Sequence, residues 1–230
     1  MWLYHGSDHA VERPQYGAGK EDNDYGSGFY TTQASARAAE WALLYGRDRA
    51  VVSRYRLDTE GLSVFDLDAA GPLAWIAEVV SHRGVGTIPA RAFVRDFVDK
   101  YKPDTTHADL MVGYRADDSY GDVIESFFLG ELCVDEVKRL FWKGELGVQV
   151  FIKSRRAFER LEYLGCEDVD NRAAGSAISQ ARQEAMRFIQ NRRVQIARRF
   201  VVPEISIADA LDNDYVYHAD GDFYVRRENG

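Results

Sequence analysis

Two kinds of hydrophobic pattern run along the chain. In residues 51–57, with the sequence VVSRYRL, apolar and polar positions alternate, and a period of two predicts a half-buried strand. Other short apolar stretches predict strands at 2–7, 29–32, 108–116, 148–154 and 162–165.

Longer stretches repeat their apolar positions with the helical period. The first predicted helix runs from Ser35 to Tyr45 and ends at Gly46, and a second begins at Pro72, a residue favoured at the first helical position. Further helices are predicted at 90–102, 120–130, 134–144 and 155–161, and an apolar stripe indicates one more between 173 and 202. Because strands and helices mix without regular alternation, the pattern predicts an α+β fold.

Composition places the chain among ordinary globular proteins. Its 230 residues and 46% hydrophobic content suffice for one domain with an elaboration. No run of 18 apolar residues occurs, so no membrane span is expected. The start of the sequence, MWLYHGSDHA, lacks the pattern of a signal peptide, and the two cysteines form no CxxC motif. We therefore expect a cytoplasmic protein with reduced thiols.

The net charge of −8 is unevenly distributed. Residues 172–202 contain seven arginines and one glutamate, whereas residues 203–230 contain seven acids and two arginines. This pattern predicts that a basic helix near 176–200 docks on a partner or on the acidic surface of the chain itself.

Several common kinds of site are disfavoured by the sequence. The string GAGK at 17–20 fails as a phosphate-binding loop, because Pro14 stands where a glycine belongs and Glu21 where serine or threonine belongs. The histidines lack metal-ligand spacing, and no GxSxG motif occurs. We therefore expect neither a metal site nor a serine nucleophile.

The most informative stretch is GSGFYTTQASARAAEWALLYG, residues 26–46. Tyr30 lies on a predicted strand and Trp41 on the helix that follows, eleven positions later. Two aromatic faces can hold a flat ring between them, and such stacking contributes about 0.5–1.5 kcal/mol per pair beyond area burial. The alternative is that both residues only pack in the core.

Four segments, in this order, resemble the His-Tyr-Glu class of ADP-ribosyltransferases, to which diphtheria toxin and the poly(ADP-ribose) polymerases belong. They are YHGS at 4–7, GFYTT at 28–32, Trp41 and VQVFIKS at 148–154. The resemblance covers about residues 1–165. It implies two packed, mostly antiparallel sheets with flanking helices, and NAD as the substrate.

The sequence is also similar to an uncharacterised bacterial family of the same fold. That family shows YHGS, GxGFYxT, a WA pair, an ADD element and a late Q-x-x-F strand. This chain has each of these, with RADD at 115–118, except that Ile152 stands in place of the final phenylalanine. The resemblance implies an NAD-binding domain at 1–168, followed at 169–230 by a basic helix and acidic tail as an appendage or partner-binding segment.

The resemblance also implies roles for individual residues. The implied NAD-binding residues are Tyr4, His5, Gly6, Ser7, Gly28, Tyr30, Thr31, Trp41 and Arg115. The implied catalytic residues are His5, Tyr30, Gln149, Asp117 and Asp118. Arg115 could pair with a phosphate or remain a solvated surface residue.

Gln149 departs from the class pattern, because a glutamate would stand there. Cleavage of NAD passes through an oxocarbenium-like transition state, as in glycoside hydrolysis. A glutamine can donate and accept hydrogen bonds, but it cannot balance a developing positive charge. Asp117 or Asp118 could supply that charge, or either could merely cap a loop.

The resulting expectation is transfer of one ADP-ribose to an unidentified macromolecule, with the protein as a candidate toxin of a bacterial toxin–antitoxin pair. The antitoxin would be a candidate partner for the basic helix. Two alternatives remain open, an NAD glycohydrolase and a nucleotide- or protein-binding module without catalysis.

Overall fold

The computed structural model describes residues 1–46, 48–86, 91–116, 120–143, 147–169, 183, 186–195 and 205–227. The chain divides into two compact units, each assembled from separated segments. Unit 1 comprises residues 1–66, 104–115 and 145–180. Unit 2 comprises residues 67–103, 116–144 and 181–230.

Unit 1 is built around a seven-stranded sheet. Its strands are β1 (Trp2–Ser7), β2 (Phe29–Thr32), β3 (Val51–Leu57), β4 (Val64–Asp66), β5 (Leu110–Tyr114), β6 (Val148–Ile152) and β7 (Leu161–Asp168). They follow the order β4-β5-β6-β2-β1-β3-β7, and every pair is antiparallel except β4 with β5. β1 and β2 thus lie at the centre, with β6 beside β2.

The strand register divides the side chains between two faces, since residues paired across neighbouring strands share a face. We call one the core face. It carries a buried apolar cluster, and its strand members are Leu3, Phe29, Tyr55, Leu57, Leu110, Val150 and Ile152. Helix α7 (Arg155–Phe158) contributes Ala157 to this cluster. Burial of these side chains supplies much of the hydrophobic stabilisation of unit 1.

We call the opposite face the α1 face, after helix α1 (Ser35–Tyr45), which packs on it. The register places Thr32 of β2 opposite both Tyr4 of β1 and Gln149 of β6. Tyr30, two residues before Thr32, lies on the same face and pairs with Phe151. The α1 face therefore carries Tyr4, Tyr30 and Gln149 among the residues singled out in the sequence.

Unit 2 is mainly helical. Its helices are α2 (Leu67–Ala70), α3 (Pro72–Arg83), α4 (Arg91–Tyr101), α5 (Tyr120–Phe128), α6 (Val134–Lys143), α8 (described over 186–195) and α9 (Ile207–Asp212). Strands β8 (Tyr215–His218) and β9 (Phe223–Arg226) form a separate antiparallel hairpin. The hairpin fixes the start of α3, because the Leu73 N–H donates to the Tyr224 hydroxyl at 2.8 Å.

The basic helix binds acidic groups of its own unit. Within α8, Arg192 pairs with Glu136 of α6 at 2.7 Å, and Arg193 pairs with Glu131 at 2.7 Å. Ile189 is fully buried. The prediction that this helix docks on the acidic surface of the chain itself is thus confirmed for its described part, and the rest of 173–202 lies outside the described residues.

The α+β class is confirmed, with a large sheet and a small one. Among the described residues, seven strands form the large sheet of unit 1 and two strands form the small sheet of unit 2. The two compact units divide the chain differently from the predicted domains 1–168 and 169–230. Residues 181–230 form one unit with 67–103 and 116–144, because α8 binds α6 through ion pairs and the hairpin binds α3.

Most predicted elements are present, with a few differences. β7 extends from Leu161 to Asp168, longer than predicted, because it pairs with β3 along its whole length. β4, α2, α9 and the hairpin were not predicted. In the described part of the chain, no helix is long and apolar enough to cross a membrane.

Candidate active site on the α1 face

His5 bridges the two central strands from the core face, where its ring lies 4.6 Å from that of Phe29. Within β1 and β2, ladder pairing is confined to Tyr4 and Thr32, and the Nδ1 atom of His5 lies 2.7 Å from the carbonyl oxygen of Tyr30. Burial lowers the pKa of His5 below 6.5, and the hydrogen bond to Tyr30 offsets this only in part. A neutral imidazole must then carry its proton on Nδ1, because a carbonyl oxygen only accepts. The Nε2 atom therefore keeps a lone pair.

The Tyr30 side chain is held from two directions. Its hydroxyl donates to the carbonyl of Gly26 at 2.8 Å and accepts the N–H of Tyr25 at 2.9 Å. Its ring lies 4.8 Å from the ring of Phe151 and 6.4 Å from that of Tyr25. Two backbone groups and two rings thus hold Tyr30 in one orientation.

Gln149 is buried on the α1 face and directs its amide to a carboxylate. Its Nε2 donates to Oδ2 of Asp24 at 3.0 Å and to the carbonyl of Tyr114 at 3.3 Å. Asp24 is itself only 7% exposed. A buried carboxylate costs several kcal/mol unless hydrogen bonds compensate it, so such a group is a functional candidate.

The turn that carries Asp24 is anchored to three strands. The N–H of Tyr25 and the carbonyl of Gly26 bind the Tyr30 hydroxyl on β2, and Gln149 on β6 binds Asp24. The hydroxyl of Tyr25 donates to the carbonyl of Tyr114 on β5. Although residues 8–28 contain no regular element, this part is fixed, and so is the carboxylate.

Trp41 lies on α1 and is buried. The guanidinium carbon of Arg115 lies 5.0 Å from the centre of the indole ring, which is a cation–π distance. Arg115 is also buried, so it is not a solvated surface residue. The structure thus gives Tyr30 and Trp41 different ring neighbours, and a ligand ring between them stays a prediction.

Two glycines of the motifs are needed for close packing. A Cβ atom on Gly6 would lie 1.8 Å from the carbonyl oxygen of Ala38 in α1. A Cβ atom on Gly28 would lie 2.2 Å from the Phe151 ring. The absence of a side chain at Gly6 allows α1 to contact β1. Its absence at Gly28 leaves room for the Phe151 ring, which supports Tyr30.

The remaining predicted residues fall elsewhere. Ser7 and Thr31 lie on the core face by register, and their hydroxyls donate to the carbonyls of His9 and Val150. Tyr4 lies on the α1 face, where Thr32 of β2 separates it from Gln149 of β6. Asp117 and Asp118 lie outside the described residues.

The sequence interpretation missed Asp24 and Tyr25. Asp24 is one of several acids in 8–28, and no period distinguishes it from Glu21 or Asp22. The available signal was its position: an acid and an aromatic residue directly precede the GSGFY motif.

Metal binding finds no support in the described ranges, where no cluster of three or more His, Cys, Asp or Glu side chains could hold a metal ion. Both cysteines are free. Cys133 is buried, which raises the pKa of its thiol, and Cys166 is exposed.

Comparison with protein families gives one match. Residues 1–163 match the family described as "Protein of unknown function (DUF3990)". The chain belongs to this family. The DUF3990 region includes every predicted site residue together with Asp24, and it ends within β7, before α8 begins. No curated protein matches the chain, and no solved structure does.

Proposed function

We propose that this DUF3990 protein transfers ADP-ribose from NAD to a macromolecular acceptor. The observation that carries the proposal is the buried pair of Asp24 and Gln149 beside Tyr30. Reactions of this class need a negative charge near the ribose carbon as its bond to nicotinamide breaks. Gln149 cannot supply that charge, but Asp24 can.

In the proposed reaction, the bond between nicotinamide and C1′ of the ribose breaks first. Its electron pair leaves with the nicotinamide, which departs neutral, and positive charge develops on the ribose. The Asp24 carboxylate stabilises this charge, and Gln149 fixes the carboxylate in place. The acceptor then attacks C1′ from the opposite side and loses its proton.

The other residues bind and orient. The fixed ring of Tyr30 offers a flat surface for nicotinamide, and stacking of this kind contributes about 0.5–1.5 kcal/mol beyond area burial. From the core face, His5 holds strand β2 in place through the hydrogen bond between its ring and the carbonyl oxygen of Tyr30.

The proposal is tested with NAD labelled in the adenylate half and a cell lysate as the source of acceptor. Two quantities are measured: the rate of nicotinamide release, and the distribution of the label between macromolecules and free ADP-ribose. Asp24→Asn keeps the shape and the hydrogen bond from Gln149 but removes the charge. Loss of one preorganised electrostatic contact lowers a rate by about 10²–10³. We expect that loss for Asp24→Asn, and wild-type rates for the control Asp22→Asn, an exposed acid of the same loop.

Each other outcome has a clear meaning. Label found only in free ADP-ribose would identify a glycohydrolase. NAD binding without nicotinamide release would identify a binding module. Equal rates for Asp24→Asn and wild type would remove Asp24 from the mechanism.

A further inference from the structure

A pocket of about 310 Å³ lies on the α1 face over strands β1, β3 and β7, away from Asp24. Its lining includes Tyr4, Ser35, Val52, Arg54, Gly165 and Glu167. Because α1 packs on Gly6 of β1, this pocket lies on the β3 side of the helix, whereas Gln149 lies on the β6 side. The pocket is therefore distinct from the candidate active site.

The pocket exists because of a glycine in β7. Arg54 of β3 pairs with Gly165 of β7, where the register between the two strands shifts. Gly165 has a φ of +121°, a conformation that residues with a side chain rarely adopt, and nothing lies within 4 Å of the position its Cβ would take. The backbone thus keeps this part of the sheet free of a side chain.

The same glycine leaves Arg54 without an acid across the ladder. Its neighbour Arg56 faces Glu162, and the Nε atom of Arg56 lies 2.8 Å from the carboxylate. Arg49 likewise binds Asp168 at 2.6 Å. Arg54 forms no ion pair or hydrogen bond with any residue that the structure describes. Its positive charge is therefore available to an anion in the pocket, and guanidinium groups bind phosphate in a bidentate manner.

The rest of the lining suits the other parts of a nucleotide. Tyr4 stands directly opposite Arg54 in the β1–β3 ladder and offers an aromatic ring on which a base can stack. Glu167 provides a carboxylate that accepts hydrogen bonds from amino or hydroxyl groups, and Ser35 provides a hydroxyl. A volume of about 310 Å³ lies at the lower end of the range for small-molecule sites.

We infer that this pocket is a second binding site, for a 5′-nucleotide. Its phosphate binds Arg54, its base stacks on Tyr4, and its amino or hydroxyl groups donate to Glu167. A free mononucleotide and a nucleotide within a single strand offer the same chemistry. The inference concerns binding alone, so it does not depend on turnover of NAD.

Binding is measured by isothermal titration calorimetry on the full-length protein. We expect adenosine 5′-monophosphate to bind in a saturable manner. Arg54→Gln should raise the dissociation constant by about tenfold or more, as expected for loss of a charge-assisted hydrogen bond.

The matched control is Arg56→Gln, which removes a guanidinium that is already paired with Glu162. Its dissociation constant should equal that of the wild type. Equal weakening by both variants, or no measurable binding of the nucleotide, would overturn the inference. A parallel titration with a short single-stranded oligonucleotide identifies the source, because the probe with the lower dissociation constant presents the preferred form of the nucleotide.

Discussion

The two faces of the unit 1 sheet come from the same strands but differ in the charged groups that they bury. The core face is filled by aliphatic and aromatic residues such as Leu57 and Ile152, which are fully buried. The α1 face buries polar and charged groups instead, among them Asp24, Arg115 and Gln149. Burial of apolar groups stabilises a fold, whereas burial of charges costs free energy that other interactions must offset. The difference indicates that the core face supplies more of the stability of the sheet, and the proposed function assigns the buried polar groups of the α1 face to binding and catalysis.

The largest contrast in stability should come from substituting one residue on each face. Leu57→Ala on the core face should lower the free energy of unfolding by about 2–5 kcal/mol, because it removes buried methyl groups and leaves a cavity. Asp24→Asn on the α1 face should change it far less, since asparagine can still accept the hydrogen bond from Gln149. Chemical denaturation of both variants measures the two values.

Leu129→Ala is a suitable control for the first value, because Leu129 is exposed and the side chain removed is the same. If Asp24→Asn unfolded as readily as Leu57→Ala, the α1 face would be structural, and the division between the faces would fail.

A smaller effect is expected at Gly6, where α1 meets the sheet. An added methyl group would lie 1.8 Å from the Ala38 carbonyl oxygen, so the helix backbone would have to shift. We expect Gly6→Ala to lower the unfolding free energy by about 1–3 kcal/mol, as for other overpacked sites. Thermal or chemical unfolding measures this loss.

Gly121→Ala is the matched change, because nothing lies within 4 Å of its added Cβ position. It should leave stability unchanged or slightly raised, since alanine reduces the entropy of the unfolded chain. A Gly6→Ala protein as stable as wild type would show that α1 is not tightly bound to β1.

The smallest expected effect is a pH dependence from His5. Its pKa is lowered in the folded protein, so below pH 6.5 the unfolded chain takes up a proton before the folded chain does. The stability that neutral His5 contributes is therefore complete above pH 6.5 and decreases as pH falls toward the lowered pKa. Replacing His5 with asparagine should flatten the stability curve in that window.

The measurement is denaturant unfolding between pH 7.5 and pH 5, compared with that of His9→Asn, in which an exposed histidine is replaced. If wild type and His5→Asn show the same slope, the pKa of His5 does not differ between the folded and the unfolded state.

Local patterns predicted many of the elements. β3 follows from its alternation, α1 from its alanine-rich period and its stop at Gly46, and α3 from Pro72 at its start. The hairpin β8–β9 also had a signal, since YVYH and FYVR flank a turn with Gly221. The acidic residues around these two segments obscure that signal.

The candidate site was only partly predictable, for a physical reason. Tyr30 and Gln149 belong to strands, where the period places a side chain on a face. Asp24 lies in a segment without period, and its role arises from contact with a residue 125 positions away. The unit boundaries were missed likewise, because contacts between distant segments, such as α6 with α8, decide them.

The order of the sheet has a consequence for how the protein is made. β2 and β1 emerge early from the ribosome, yet β6, the outer neighbour of β2, follows only after residue 148. Until then, the edge of β2 that includes Tyr30 has no partner from β6, and an open strand edge is a point at which chains associate wrongly. Strand β2, which carries Tyr30 of the candidate site, therefore needs protection from wrong pairing during synthesis.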